Sequence, residues 1–128
     1  MSPAVPPPIL EVYYSPSCAP CRLELPAVAE FAREDGSHVR IVIVDQQARA
    51  REELQAASPQ LAATAIAAKK ENPRALLLAA GDSDGILPYA RVIAPDGNIC
   101  AKWRGPLTLE RAKMLIASCI TSPNRHRS

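Results

Sequence analysis

Ser15-Pro16-Ser17-Cys18-Ala19-Pro20-Cys21-Arg22-Leu23-Glu24-Leu25-Pro26 decides the reading of this chain. An apolar run (Ile9, Leu10, Val12, Tyr13, Tyr14) leads into it, and Leu23, Leu25, Val28 and Phe31 follow at roughly helical spacing. The stretch therefore reads as strand, loop and helix, with Cys18 at the helix N-terminus. Unpaired backbone N–H groups and the positive end of the helix dipole favour a thiolate over a thiol there. Three residues along a helix put Cys21 on the same side as Cys18, within reach of a bridge. A thiolate attacks disulfides, so the pair implies redox chemistry, with Cys18 attacking and Cys21 resolving.

The 128 residues suit one domain with a substantial core. Hydrophobic residues make up 48% of the chain and aromatics only 4%, so aliphatic and alanine packing must fill the interior. Lys and Arg total 15 against 13 Asp and Glu, a net charge of +2 too weak and too scattered to indicate nucleic acid. No apolar stretch is long enough to span a membrane as a helix. Residues 1–8 read as a proline-rich linker, 9–120 as the domain and 121–128 as a polar, disordered tail. Met1 leads straight into Ser-Pro-Ala-Val-Pro-Pro-Pro without a signal-peptide pattern, which fits either a natural start or the remnant of a longer chain.

Further along, Val39, Ile41, Val42, Ile43 and Val44 form a β-branched run expected of a parallel strand buried on both faces. Asp35-Gly36-Ser37 reads as the preceding loop. Residues 48–57 read as a short helix. Ser58-Pro59 starts another, expected to continue to about Glu71 and to stop at Asn72-Pro73. Ala75–Ala80 is ambiguous between strand and helix. Tyr89–Ala94 and Ile99–Arg104 read as strands joined through the hairpin chemistry of Pro95-Asp96-Gly97-Asn98. A last amphipathic helix covers about Thr108–Ile120. The expected architecture is α/β, a central mixed sheet flanked by helices.

This order, with Cys18-Ala19-Pro20-Cys21 after the first strand, resembles the thioredoxin fold over nearly all of Ile9–Cys119. Pro26, five residues after the second cysteine, and Leu87-Pro88, just before a strand, carry the resemblance further. Cys21-Arg22-Leu23-Glu24-Leu25-Pro26 looks like the TlpA-type branch of periplasmic disulfide reductases. Gly85-Ile86-Leu87-Pro88-Tyr89 and the long helical insert between Asp45 and Pro88 are similar to that branch too. The resemblance implies a thiol:disulfide oxidoreductase outside the cytoplasm, with a cytoplasmic home as the alternative that four cysteines leave open. It implies a protein or small-molecule disulfide as substrate and a thiol electron donor, a membrane reductase being one candidate. A monomer without cofactor is expected. It also implies a cis Leu87-Pro88 bond that would leave nearby backbone groups free for an extended substrate; without it, a trans proline opening a strand would be the default. Two positions depart from the pattern. Ser17 stands where many relatives carry Trp, and Val12 where plain thioredoxin has a buried Asp used in proton transfer.

Within the dithiol loop, Pro20 rigidifies the turn and Ala19 brings neither charge nor donor. A His there would stabilise the thiolate and favour an oxidase, so its absence argues for a reductant, the alternatives being a protein-disulfide oxidase or a non-catalytic module whose groove holds an extended peptide or a metal. A zinc half-site is the competing reading of the CxxC. Zinc wants four ligands in paired sets, and Cys100, Cys119, His38 and His126 are not so spaced, so no metal is expected. A copper chaperone on the same fold would want wider cysteine spacing. Glu24 and Arg22 are expected as solvated helix residues, the alternative being that they tune charge and shuttle protons. Tyr14 and Trp103 either border the site or simply pack. Cys100 and Cys119 are expected as two buried thiols, with a structural disulfide as the alternative.

Overall fold

A computed structural model describes residues 6–35, 38–68 and 72–120. The chain runs β1 (Ile9–Tyr14), α1 (Ala19–Asp35), β2 (Val39–Ile43), α2 (Gln47–Ala57), α3 (Pro59–Ala63), β3 (Ile66–Ala67), α4 (Pro73–Ala79), β4 (Tyr89–Ile93), β5 (Ile99–Arg104) and α5 (Leu109–Ile120). The five strands form one mixed sheet in the order β3-β2-β1-β4-β5. β1 lies at its centre, parallel to β2 and antiparallel to β4. Strand alternation divides the interior. Leu10, Val12 and Tyr14 face the larger core with Val28, Phe31, Leu54, Leu61, Leu115 and Ile116. Tyr13 faces a smaller cluster with Val42, Val44, Leu77, Ala80 and Tyr89.

Glu11 is buried on that second face. Arg40 and Arg91, from the strands on either side, each reach its carboxylate at 2.8 Å, and the Tyr13 hydroxyl donates to it at 3.2 Å. Burial pushes the Glu11 pKa up, but these donors outweigh it and hold the carboxyl below its usual range.

The helical insert departs from expectation. α3 ends at Ala63 instead of running to about Glu71. Thr64 closes it, its N–H and hydroxyl both donating to the Leu61 carbonyl at 3.0 and 2.8 Å. Ile66 and Ala67 then pair with Val42 and Ile43, so ladder hydrogen bonds override the helix propensity of an alanine-rich run. Asn72-Pro73 starts a helix where it was expected to stop one. The Asn72 side chain accepts from the Arg74 and Ala75 amides at 2.9 and 3.3 Å, and Pro73 occupies the first turn. Ala75–Ala80 is thereby helical through Ala79. Residues 1–5 of the expected linker, Gly36-Ser37, residues 69–71 and the expected tail 121–128 lie outside the described residues. Among the described residues no helix is long and apolar enough to cross a membrane.

Cys100 and Cys119 form a disulfide, with Cα atoms 5.9 Å apart, which corrects the expectation of two free thiols. A β-bulge explains it. Val92 pairs with Ala101 and Ile93 with Ile99, leaving Cys100 as the extra residue of β5. Regular alternation would turn Cys100 away from Ala101 and Trp103, yet all three pack against the larger core, where α5 presents Cys119.

Candidate active site

The site begins where β1 ends. Ser15 and Pro16 are buried, and the Cys18 amide donates to the Ser15 carbonyl at 3.1 Å, turning the chain toward α1. The Arg22 amide donates to the Cys18 carbonyl at 3.2 Å, which makes Cys18 the cap residue of that helix. Cys18 and Cys21 are joined as a disulfide with Cα atoms 5.2 Å apart. The two sulfurs are not equivalent. Cys18 is half-buried and accepts the Cys21 amide at its Sγ at 3.1 Å, whereas Cys21 is fully buried. An amide aimed at Cys18 Sγ from the first helical turn would stabilise negative charge on that atom. Ala19 and Pro20 are exposed on the helix tip.

Strand register brings the second half of the site alongside. Tyr13 pairs with Tyr89, so Pro88 falls at the same end of the sheet as the loop leading to Cys18. The Leu87–Pro88 peptide is cis, and both residues are half-buried. The Pro88 carbonyl accepts the Gly105 amide at 3.2 Å. Leu87 packs against both cores, and Cys18 against the larger.

Glu24 departs from the expected solvated side chain. It is 3% exposed, on the face of α1 that also buries Cys21, and its Oε1 accepts the Leu107 amide at 2.8 Å. Among the described residues its Oε2 has no hydrogen-bond partner. Burial raises its pKa from an ordinary 4.5 to about 7, the Leu107 N–H pulling the other way. Arg22 is exposed. Tyr14 is fully buried beneath the site, and its hydroxyl donates to Glu53 of α2. Burial, then that carboxylate, push the Tyr14 phenol up. Trp103 packs on the larger core with the Arg111 guanidinium 4.1 Å above its ring.

Two supports were not anticipated from sequence. Gln46, in the left-handed region with φ 48°, donates from its side-chain amide to Ser17 Oγ and ties the β2–α2 loop to the dithiol loop. Nothing in a Gln-Gln pair signals that conformation. Asp82 is 1% exposed and accepts the amides of Asp84 and Ile86 at 3.2 and 2.9 Å, folding the approach to Leu87-Pro88. Arg104 reaches both Asp82 and Asp84. The Asp-Ser-Asp-Gly run carried the signal, because Asp side chains cap their own turns. Among the described residues no group of three or more His, Cys, Asp or Glu converges as a metal site.

No protein-family model matches the sequence, and no curated protein does. Solved structures do match by shape. A thioredoxin-related protein from Neisseria meningitidis serogroup B superposes with a TM-score of 0.73 at 19% identity, over 91% of this chain and 87% of that one. StoA from Bacillus subtilis gives 0.65 at 22% identity, over 88% and 84%. A thiol:disulfide interchange protein of the thioredoxin family from Chlorobium tepidum TLS gives 0.65 at 20%, over 88% and 81%. With that sheet order, helices on both faces and a CxxC at the tip of the first helix, the chain adopts the thioredoxin fold.

Proposed function

We propose that the protein is a thiol:disulfide oxidoreductase of the TlpA type that reduces disulfides in protein or small-molecule substrates. One observation carries the reading: a bridged Cys18–Cys21 pair at a helix N-terminus, the first residue half-buried with its sulfur touched by an amide, the second fully buried. In the reduced enzyme the Cys18 thiolate attacks one sulfur of the substrate disulfide. A Cys18–substrate disulfide forms, and the second substrate sulfur leaves as a thiolate that takes up a proton. The Cys21 thiol then loses its proton and attacks Cys18 Sγ. The substrate leaves fully reduced, and Cys18–Cys21 is oxidised.

Glu24, buried one turn past Cys21 with a pKa of about 7, is the carboxylate we assign to receive the Cys21 proton, directly or through water. It stands in for the Asp that Val12 does not supply. Leu87 offers the backbone edge for an extended substrate beside the cis Pro88, whose own carbonyl is taken by Gly105, and Ala19-Pro20 keeps charge out of the dithiol loop. A thiol donor must return two electrons each cycle, and a membrane reductase fits the TlpA-like Cys21–Pro26 pattern. The Cys100–Cys119 disulfide supports an oxidising compartment such as the periplasm.

The test is insulin reduction with two variants. Cys18→Ser abolishes it, and Cys21→Ser accumulates mixed disulfides with substrate; full activity of the first, or no adducts on the second, overturns the assignment. A glutathione titration sets the direction. A midpoint near about −270 mV supports a reductant, and one near about −120 mV makes the protein an oxidase.

A further inference from the structure

We infer that the Cys100–Cys119 disulfide is a positioning device for the Cys18–Cys21 pair, holding in place the chain segment that connects β5 to α5. The inference rests on the redox reading above for its functional arm only.

The bond joins the second residue of β5 to the last turn of α5, at a sequence separation of 19. It closes everything between them into a ring. At the far side of that ring two backbone amides leave it for the dithiol site. Leu107 N–H donates to Glu24 Oε1 at 2.8 Å, on the helix side, one turn from Cys21. Gly105 N–H donates to the Pro88 carbonyl at 3.2 Å, on the strand side. One short segment therefore sets the place of both halves of the site.

Inside the ring the segment is braced. Trp103 Nε1–H donates to the Pro106 carbonyl at 3.3 Å, and Arg111 covers the indole at 4.1 Å. Gly105 bends the chain at φ 108°, so the backbone there has no side chain of its own to resist movement. The segment's two ends are held by β5 and α5, and the disulfide ties those two elements together at their far ends. The bulge at Cys100 is the device that makes the tie, because it alone turns that sulfur toward α5.

Beyond the general loss of stability, the consequence is local. Opening the bond frees the ring, the two outgoing amides exchange their partners for water, and the dithiol loses a fixed boundary. The first experiment uses Cys18→Ser/Cys21→Ser protein, which contains no other disulfide, and opens Cys100–Cys119 with dithiothreitol while amide hydrogen exchange is followed. Both sulfurs end as thiols, and the reagent ends as its cyclic disulfide. The ratio of exchange at Leu107 and Gly105 to exchange at the β1 amides, which report global stability, is expected to rise about tenfold or more. Unchanged exchange at those two amides overturns the inference. So does a ratio that stays constant while protection falls everywhere, since the bond would then hold the fold and not the segment.

The second experiment measures the equilibrium of Cys18–Cys21 with glutathione in Cys100→Ala/Cys119→Ala. A change of about threefold or more is expected, and no change overturns the inference even where the segment has loosened. A wild-type protein that exchanges no thiols removes the proposed function, and the hydrogen-exchange arm still decides whether the clamp exists.

Discussion

Glu24→Gln should change how stability depends on pH, with a sign set by burial of the carboxyl. The folded protein raises the Glu24 pKa from 4.5 to about 7, because burial penalises the charge more than the Leu107 amide rewards it. The side chain is 3% exposed, so solvent screening takes little from the effect. Below the unfolded value both states carry the proton and the carboxyl costs nothing. As pH rises through the window from 4.5 to about 7, the unfolded chain ionises freely and the folded one does not, so stability is lost. Above that window the loss is complete, about 3 kcal/mol for the full shift. Gln keeps the Oε1 acceptor for Leu107 and has no proton to lose. Urea unfolding of both oxidised proteins between pH 4 and 8.5 therefore gives a difference that grows with pH in favour of the variant. At a slope of about 2 kcal/mol per molar, the relative midpoints move by about 1.5 M urea. A difference that stays flat across the window refutes the buried-acid account. One that grows in the opposite direction would mean the fold stabilises the carboxylate.

Glu11→Ala leaves Arg40 and Arg91 without their shared carboxylate and should cost about 3 kcal/mol at neutral pH, measured by denaturant unfolding. Because the Glu11 pKa is lowered, the gap to wild type should close as pH falls through its folded value; a gap that persists in acid would point to packing alone. Cys100→Ala/Cys119→Ala releases a loop of separation 19, worth about 3 kcal/mol, and calorimetry should find the melting temperature about 10 °C lower. An unchanged melting temperature would show the bond to be absent in solution. Asn72→Ala removes the cap of α4 and should cost about 1 kcal/mol in the same measurement, with no loss if the helix starts elsewhere.

Local signals carried most of the fold. The strand from Ile9 and the helix from Ala19 follow from apolar periodicity, and the β4–β5 hairpin from its turn residues. What escaped was set by distant partners. The alanine-rich run after Pro59 has ample helix propensity, and only the free edge of β2 makes Ile66-Ala67 a strand. The same holds for the second disulfide. Ile99-Cys100-Ala101 reads as plain alternation, and the bulge that re-aims Cys100 exists only through its register with Val92 and Ile93. Within the site, Cys18 and Cys21 stand out as residue types at fixed spacing, and Pro88 stands out only through the resemblance. Glu24 stands out as a motif position and a candidate proton shuttle, but its burial does not, because a carboxylate one turn from Cys21 reads as solvent-facing until Leu107 closes over it. Gln46 matters through a backbone conformation that its identity does not announce.

Trp103 is the single tryptophan of the chain, and it sits within the ring closed by Cys100 and Cys119. Its indole is hydrogen-bonded to one end of the connecting segment and capped by a guanidinium. The protein thus carries a built-in optical reporter at the boundary of its dithiol. Emission wavelength and intensity will register movement of that boundary without a label.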